Sequence, residues 1–244
     1  MVSVILNVYK RPDMLEKQIV ALRNQSVEIK NEDIHVWYNK SDVQQSFPIN
    51  KEIKTYVCNW NTKFFGRFMI PFLIKNPYVA MFDDDMIPPK DWIANCIETI
   101  EKPEFNGILG GSGVIVQQKA YIPYSKVGWN GLHSDKPERV DLVGHAWFFR
   151  QEWIKYLWYE KPVSWDNGED IMFSFLAQKY GNINTFVPPH PVSNKDLWCT
   201  DPNVGQSVGS DMNASWRVGN HLSLRNSIVA NCIDNGWETV KNVK

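Results

Sequence analysis

Apolar and polar positions alternate along the amino-terminal third of the chain with two different periods. Val2-Ser3-Val4-Ile5-Leu6-Asn7-Val8 is a short β-branched run of the kind that forms a strand buried on both faces. Arg11-Pro12-Asp13 interrupts it, and Pro12 suits the first turn of a helix. From Met14 to Asn24 the period lengthens, with Leu15, Ile19 and Leu22 recurring at helical spacing. Further strands are expected at Ile34–Tyr38, Thr55–Cys58 and Tyr78–Phe82, with a helix over Phe64–Ile74 despite Pro71. Strand and helix in turn predict an α/β fold with a mixed, mostly parallel sheet flanked by helices. Ligands of such sheets collect at the carboxyl ends of the strands, which directs attention to Arg11, Asn39, Asn61 and the acids from Asp83 onward.

Composition narrows the classes. With 43% hydrophobic and 22% charged residues over 244 positions, the chain has a globular profile. A net charge of -1 gives no electrostatic reason to expect nucleic acid as a partner. No apolar run reaches the roughly 18 residues of a membrane helix, and no basic region precedes the first apolar stretch, so neither a transmembrane segment nor a secretory signal is expected. Cys58, Cys96, Cys199 and Cys232 are far apart and fit reduced thiols better than a disulfide framework. The 11 tryptophans stand out, because an indole face packs a core but also stacks on a sugar ring. One domain is expected over residues 1–244: a nucleotide-binding half to about 90, an acceptor half to about 190, and a carboxy-terminal extension beyond.

Two acidic clusters carry the candidate chemistry. Asp83-Asp84-Asp85 closes the apolar run Tyr78–Phe82 and precedes Pro88-Pro89. Three adjacent carboxylates at the end of a buried strand repel one another unless a cation is shared, and carboxylates with phosphate oxygens are the usual cradle of Mg²⁺ or Mn²⁺. Gly168-Glu169-Asp170 opens the apolar helical stretch Ile171–Ala177. Carboxylates there suit a helix amino terminus through the macrodipole, and equally suit a general base aimed into a cleft. His221 and Arg225, four apart, share one helix face and fit a diphosphate grip. His190, in Pro188-Pro189-His190-Pro191, is a rival metal ligand to His221. Trp147 with its neighbours Phe148 and Phe149, and Trp165, are candidate acceptor-wall residues; Tyr121–Leu132 reads as a mobile flap.

The opening segment Val2–Leu15, the acid run and Gly168-Glu169-Asp170, in that order, resemble the GT-A nucleotide-sugar glycosyltransferases, with the acid run in the place of their DXD motif and Glu169-Asp170 in that of their xED motif. Val140–Phe149 is similar to the strand and acceptor-side loop between those motifs. Family-2-like bacterial enzymes and the exostosin-like hexosaminyltransferase domain are the nearer parallels. That resemblance implies a GT-A (Rossmann-like) fold and sugar transfer from a nucleotide sugar, with UDP favoured, to a glycan or other hydroxyl, assisted by Mn²⁺ or Mg²⁺. It implies Arg11 at the nucleotide, Asn39 at uracil or ribose, Asn61 and Arg67 near the donor, Asp83 at the ribose or metal, Asp84 at the donor sugar and Asp85 on the metal. Asp170 becomes the catalytic carboxylate with Glu169 beside it, and Arg225 a diphosphate contact. The outcome at the anomeric carbon, inversion or retention, stays open.

Two departures stand out. No cysteine adjoins Glu169-Asp170, unlike secreted exostosin-like relatives, and no amino-terminal anchor is expected. Both favour a cytoplasmic bacterial or viral enzyme, with peripheral membrane contact still compatible. A nucleotidyltransferase is the first rival, but Asn7-Val8-Tyr9-Lys10-Arg11-Pro12 lacks the glycine-rich phosphate loop. A non-catalytic carbohydrate-binding protein would account for the tryptophans and leave both acidic clusters without a purpose.

Overall fold

The computed structural model describes residues 1–42, 52–208, 217 and 219–243. Strands β1 (Val2–Val8), β2 (Ile34–Tyr38), β3 (Lys54–Val57) and β4 (Tyr78–Phe82) pair in parallel in the order β3-β2-β1-β4. The sheet then turns antiparallel through β8 (Leu142–Arg150) and β5 (Ile108–Gln118) and continues to β9 (Thr185–Val187) and β7 (Glu138–Val140). Strand β6 (Ala120–Gly128) pairs off this path with β5. Helices α1 (Met14–Arg23), α2 (Trp92–Ile100), α3 (Glu169–Gly181), α4 (Pro202–Val208) and α5 (His221–Asp234) complete the fold. This is the mixed, helix-flanked sheet expected from the alternation of strands and helices.

The elements form for local reasons. All but one residue of β1 is buried, because neighbouring strands cover its edges and helices its faces. Helix α1 buries Leu15, Ile19 and Leu22 together with Gln18, and the polar exception is structural. Gln18 Nε2 donates to the carbonyls of Asp83 and Met86 at 2.8 and 2.9 Å, pinning the acidic turn from beneath. Gln25 Nε2 likewise donates to the carbonyls of Pro88 and Pro89, and Thr200 Oγ1 accepts from the Ile87 amide. Buried amides and a hydroxyl therefore hold the whole segment after β4 in place.

Two segments differ from expectation. Gly66–Leu73 winds as a 3₁₀ helix rather than an α-helix, with Pro71 inside it. Proline has no N–H to donate and its ring crowds the preceding turn, which disfavours regular α-helix there. Tyr121–Leu132 is not a loose flap: its first eight residues belong to β6, of which Tyr124–Gly128 pair with β5, and a turn follows. Among the described residues, no helix is long and apolar enough to cross a membrane.

Candidate active site

Asp83 and Asp85 follow β4 directly, while Glu169 and Asp170 form the first turn of α3. Gly168 precedes that turn at φ +90, a left-handed conformation open to glycine at little cost. Both acidic clusters face one cavity of about 430 Å³, and helix α5 adds His221 and Arg225 to its wall. The carboxy-terminal extension is thus part of the site, tied back by Asn226 Oδ1, which accepts from the Ile122 amide of β6 at 3.0 Å.

Buried ion pairs organise the cavity. Arg67, 3% exposed, donates to Asp83 Oδ1 and lies 3.6 Å from Glu169 Oε1, so one guanidinium bridges the two acidic clusters. Its carbon sits 4.8 Å from the centre of the Trp147 ring. Arg225 binds Asp170 in the two-pronged geometry, at 3.0 and 2.6 Å, and donates to Asn167 Oδ1 at 3.0 Å. The Asn167 amide nitrogen in turn faces His221 Nδ1 at 2.9 Å. Arg11 contacts Asp84 Oδ1 at 2.6 Å.

Burial and like charge separate the acids. Burial, with Asp170 adding to it, pushes the Glu169 carboxyl well above its ordinary range, and Arg67 offsets this in part. Asp85 rises to about 7 through burial and the neighbouring Asp83 and Asp84. Its Oδ1 is buried and, among the described residues, has no hydrogen-bond partner. A buried carboxylate oxygen without a partner is costly, and a cation is one way to satisfy it.

The third group beside these oxygens is His145. One ligand atom each from Asp83, Asp85 and His145 lie within 4.8 Å of one another. Burial, reinforced by Lys126, lowers the imidazole to about 4, so it is neutral and keeps a lone pair for a metal. Two carboxylates and one imidazole suit Mn²⁺, and the two oxygens alone suit Mg²⁺. Sequence reasoning missed His145 because a bulge aims it. Between the pairs Gly110↔Trp147 and Ser112↔Gly144, β8 carries one more residue than β5. His145 adopts φ 66 there, and its carbonyl accepts from the Asp83 amide at 3.0 Å. A bulge re-aims side chains and is frequent beside active sites. The break of the apolar run at Gly144-His145 was the signal available in the sequence.

The remaining candidates fall in different places. His221 lines the cavity against Asn167 and is not in the three-residue cluster. His190 is not a lining residue: it is buried, stacked on Trp198 at 4.5 Å and facing His133 Nδ1 at 2.9 Å. The proline turn serves packing at that point. Asn39 donates to Asn61 Oδ1 at 2.9 Å and to the Lys63 carbonyl, so this pair ties the end of β2 to the segment after β3, and neither residue lines the cavity. Trp147 borders the cavity but is 2% exposed beneath Arg67, which leaves it no open face. Trp165 is 50% exposed, braced by Phe65 and Trp158, and is not among the lining residues.

Comparison with known proteins agrees with this geometry. The family model described as Glycosyl transferase family 2 matches residues 3–158. No curated protein matches the chain. Among solved structures, GalNAc-T7 with UDP, GalNAc and Mn²⁺ is similar at TM-score 0.60 and 11% identity, over 78% of this chain and 42% of that one. TarS 1-349 from S. aureus is similar at TM-score 0.50 and 16% identity, over 77% and 60%. The mannosyltransferase PcManGT from Pyrobaculum calidifontis, in complex with GDP-Man and Mn²⁺, is similar at 0.49 and 15% identity, over 82% and 56%. The matched regions span less than two thirds of each of these chains.

Proposed function

This chain belongs to glycosyl transferase family 2, and on that premise we propose that it moves a sugar from a nucleotide-sugar donor, with UDP as the favoured nucleotide, to a hydroxyl of a glycan acceptor, with Mn²⁺ or Mg²⁺ bound. One observation carries the reading: the acids after β4 and those opening α3, far apart in sequence, converge on a single cavity.

Asp83, Asp85 and His145 are the residues that would hold the ion. When bound, it neutralises charge developing on the departing diphosphate. Arg225 and Arg67 present fixed guanidinium groups to the same region, so little reorganisation is needed as that charge grows. Of the paired acids, Glu169 is the one burial pushes toward the protonated form, while Asp170 is the one Arg225 fixes in place with two hydrogen bonds. In an inverting course Asp170 takes the proton of the acceptor hydroxyl as the acceptor oxygen bonds the anomeric carbon and the bond from that carbon to the diphosphate oxygen breaks. In a retaining course it stabilises the cationic anomeric centre or orients the acceptor. Arg11, against Asp84, stands ready at the nucleotide side, with Asn39 and Asn61 shaping the loop beside it. Trp165 supplies an exposed indole face for an acceptor sugar.

The test is release of nucleoside diphosphate from a panel of UDP- and GDP-sugars with Mn²⁺. Slow release that disappears in Asp85→Ala and falls about 100-fold or more in Asp170→Asn is expected. Activity in Asp85→Ala equal to wild type would remove the reading.

A further inference from the structure

The cavity's cations are not all paired. Arg67 is bridged to Asp83 and Glu169, and Arg225 to Asp170. Lys126 also lines the cavity, yet among the described residues its ammonium makes no ion pair or hydrogen bond. Cys199 is its one electrostatic neighbour there of acidic type, and burial holds that thiol protonated by pushing it up to about 12.

The lysine's place is built rather than incidental. Val114 of β5 pairs with Leu142 on one side and Lys126 on the other, and Ser112 pairs with Gly144. Side chains two apart share a sheet face, so Lys126 stands in one row with Val114 and Leu142, all facing the cavity. Its carbonyl accepts from the Leu132 amide at 2.8 Å, and Gly131 leaves room for that turn, since a Cβ there would lie 2.4 Å from the same oxygen. Burial pulls the ammonium's pKa down, the direction of a cation lacking its anion.

Resting on the nucleotide-sugar reading, we propose that Lys126 is a specificity residue that binds an anionic oxygen of the donor: a terminal phosphate oxygen of the nucleoside diphosphate or a carboxylate on the transferred sugar. It stands on the acceptor half, across from the strands expected to hold the nucleotide, and next to His145 in the electrostatics of the cavity. A ligand anion reaching the Asp83–Asp85–His145 cluster comes within the field of this lysine. An inward-facing lysine on a strand paired along one edge can also serve only to discourage edge-to-edge association. The two roles separate experimentally.

Calorimetric binding with Mn²⁺ is measured for UDP, UMP, UDP-glucose and UDP-glucuronate, on wild type, Lys126→Met and Lys126→Arg. If the phosphate is the partner, Lys126→Met binds UDP about tenfold more weakly and UMP as before, with Lys126→Arg recovering part of the loss. If the sugar carboxylate is the partner, UDP binding is unchanged and UDP-glucuronate alone weakens about tenfold in Lys126→Met. Wild-type affinities for all four probes in Lys126→Met overturn the proposal while leaving the donor reading intact. Wild-type protein that binds none of them, and no GDP-sugar either, overturns both.

Discussion

At the scale of single residues, His145 and Asp85 bear most of the chemistry. His145 occupies a left-handed conformation, which costs a β-carbon residue about 1–2 kcal/mol. The fold retains an imidazole where glycine would be easier, and this points to a task for the ring. His145→Gly removes the ligand and relieves the strain together. The expected outcome is a melting temperature no lower than wild type with Mn²⁺ affinity reduced about tenfold or more, read by calorimetry. Asp85 sets the pH response. Its carboxyl is raised to about 7, so in the metal-free protein it is largely protonated below that pH, and a proton competes with the ion. Mn²⁺ affinity should climb as pH rises through about 7 and level off above it, with proton release on binding. A flat profile from pH of about 5.5 to 8.5 would contradict that assignment. These two residues also mark what could be read in advance. Asp85 is legible because three acids after an apolar run have few structural uses. His145 is far less so, because a one-residue bulge shifts the side-chain alternation and only the break of the apolar run at Gly144-His145 marks the place.

At the scale of elements, the entry to α3 matters most. Gly168 lets the chain turn at φ +90, and a Cβ there would lie 2.5 Å from Ile228 Cδ1 of α5. Gly168→Ala therefore meets both a strained backbone and a packed neighbour. A loss of about 1–3 kcal/mol in urea unfolding is expected, together with a fall in nucleotide release as Asp170 and Arg225 lose their register. Strands β1, β2 and β4 and helix α1 were readable because each buries a regular set of apolar positions, whereas β3, mostly exposed, was readable only from its run of strand formers Thr55, Tyr56 and Val57. The 3₁₀ turn at Gly66–Leu73 was not, because its apolar content is high enough for a helix and one proline decides the geometry. Strand β6 was misread for a related reason. Glycines and aromatics suggest a loose loop, yet hairpin pairing with the adjacent β5 overrides that tendency.

At the scale of the whole molecule, one buried cluster runs from Val2 on β1 to Trp237 beyond α5. Asp141 links the middle of the sheet to the chain beyond α5: it accepts from the Val116 amide at 2.8 Å and from the Val240 amide at 2.6 Å. Its placement ties the carboxy-terminal segment to the centre of the sheet. We expect a single cooperative unfolding transition, with coincident midpoints by tryptophan fluorescence and circular dichroism. Separate midpoints would instead indicate that the nucleotide-binding and acceptor halves fold independently. The long-range order of the two acidic motifs made the general architecture legible. The pairings of those acids were not, since Arg67 comes from the 3₁₀ segment, His145 from a bulge in β8 and Arg225 from the returning α5, each distant in sequence from at least one acid it meets.

The most direct measurement is the anomalous difference density of manganese in crystals grown with Mn²⁺ and UDP. A single strong peak bounded by Asp83, Asp85 and His145, with the diphosphate against it, is the expected result. Nucleotide bound elsewhere on the chain, with that cluster free of metal, would contradict the account at its root.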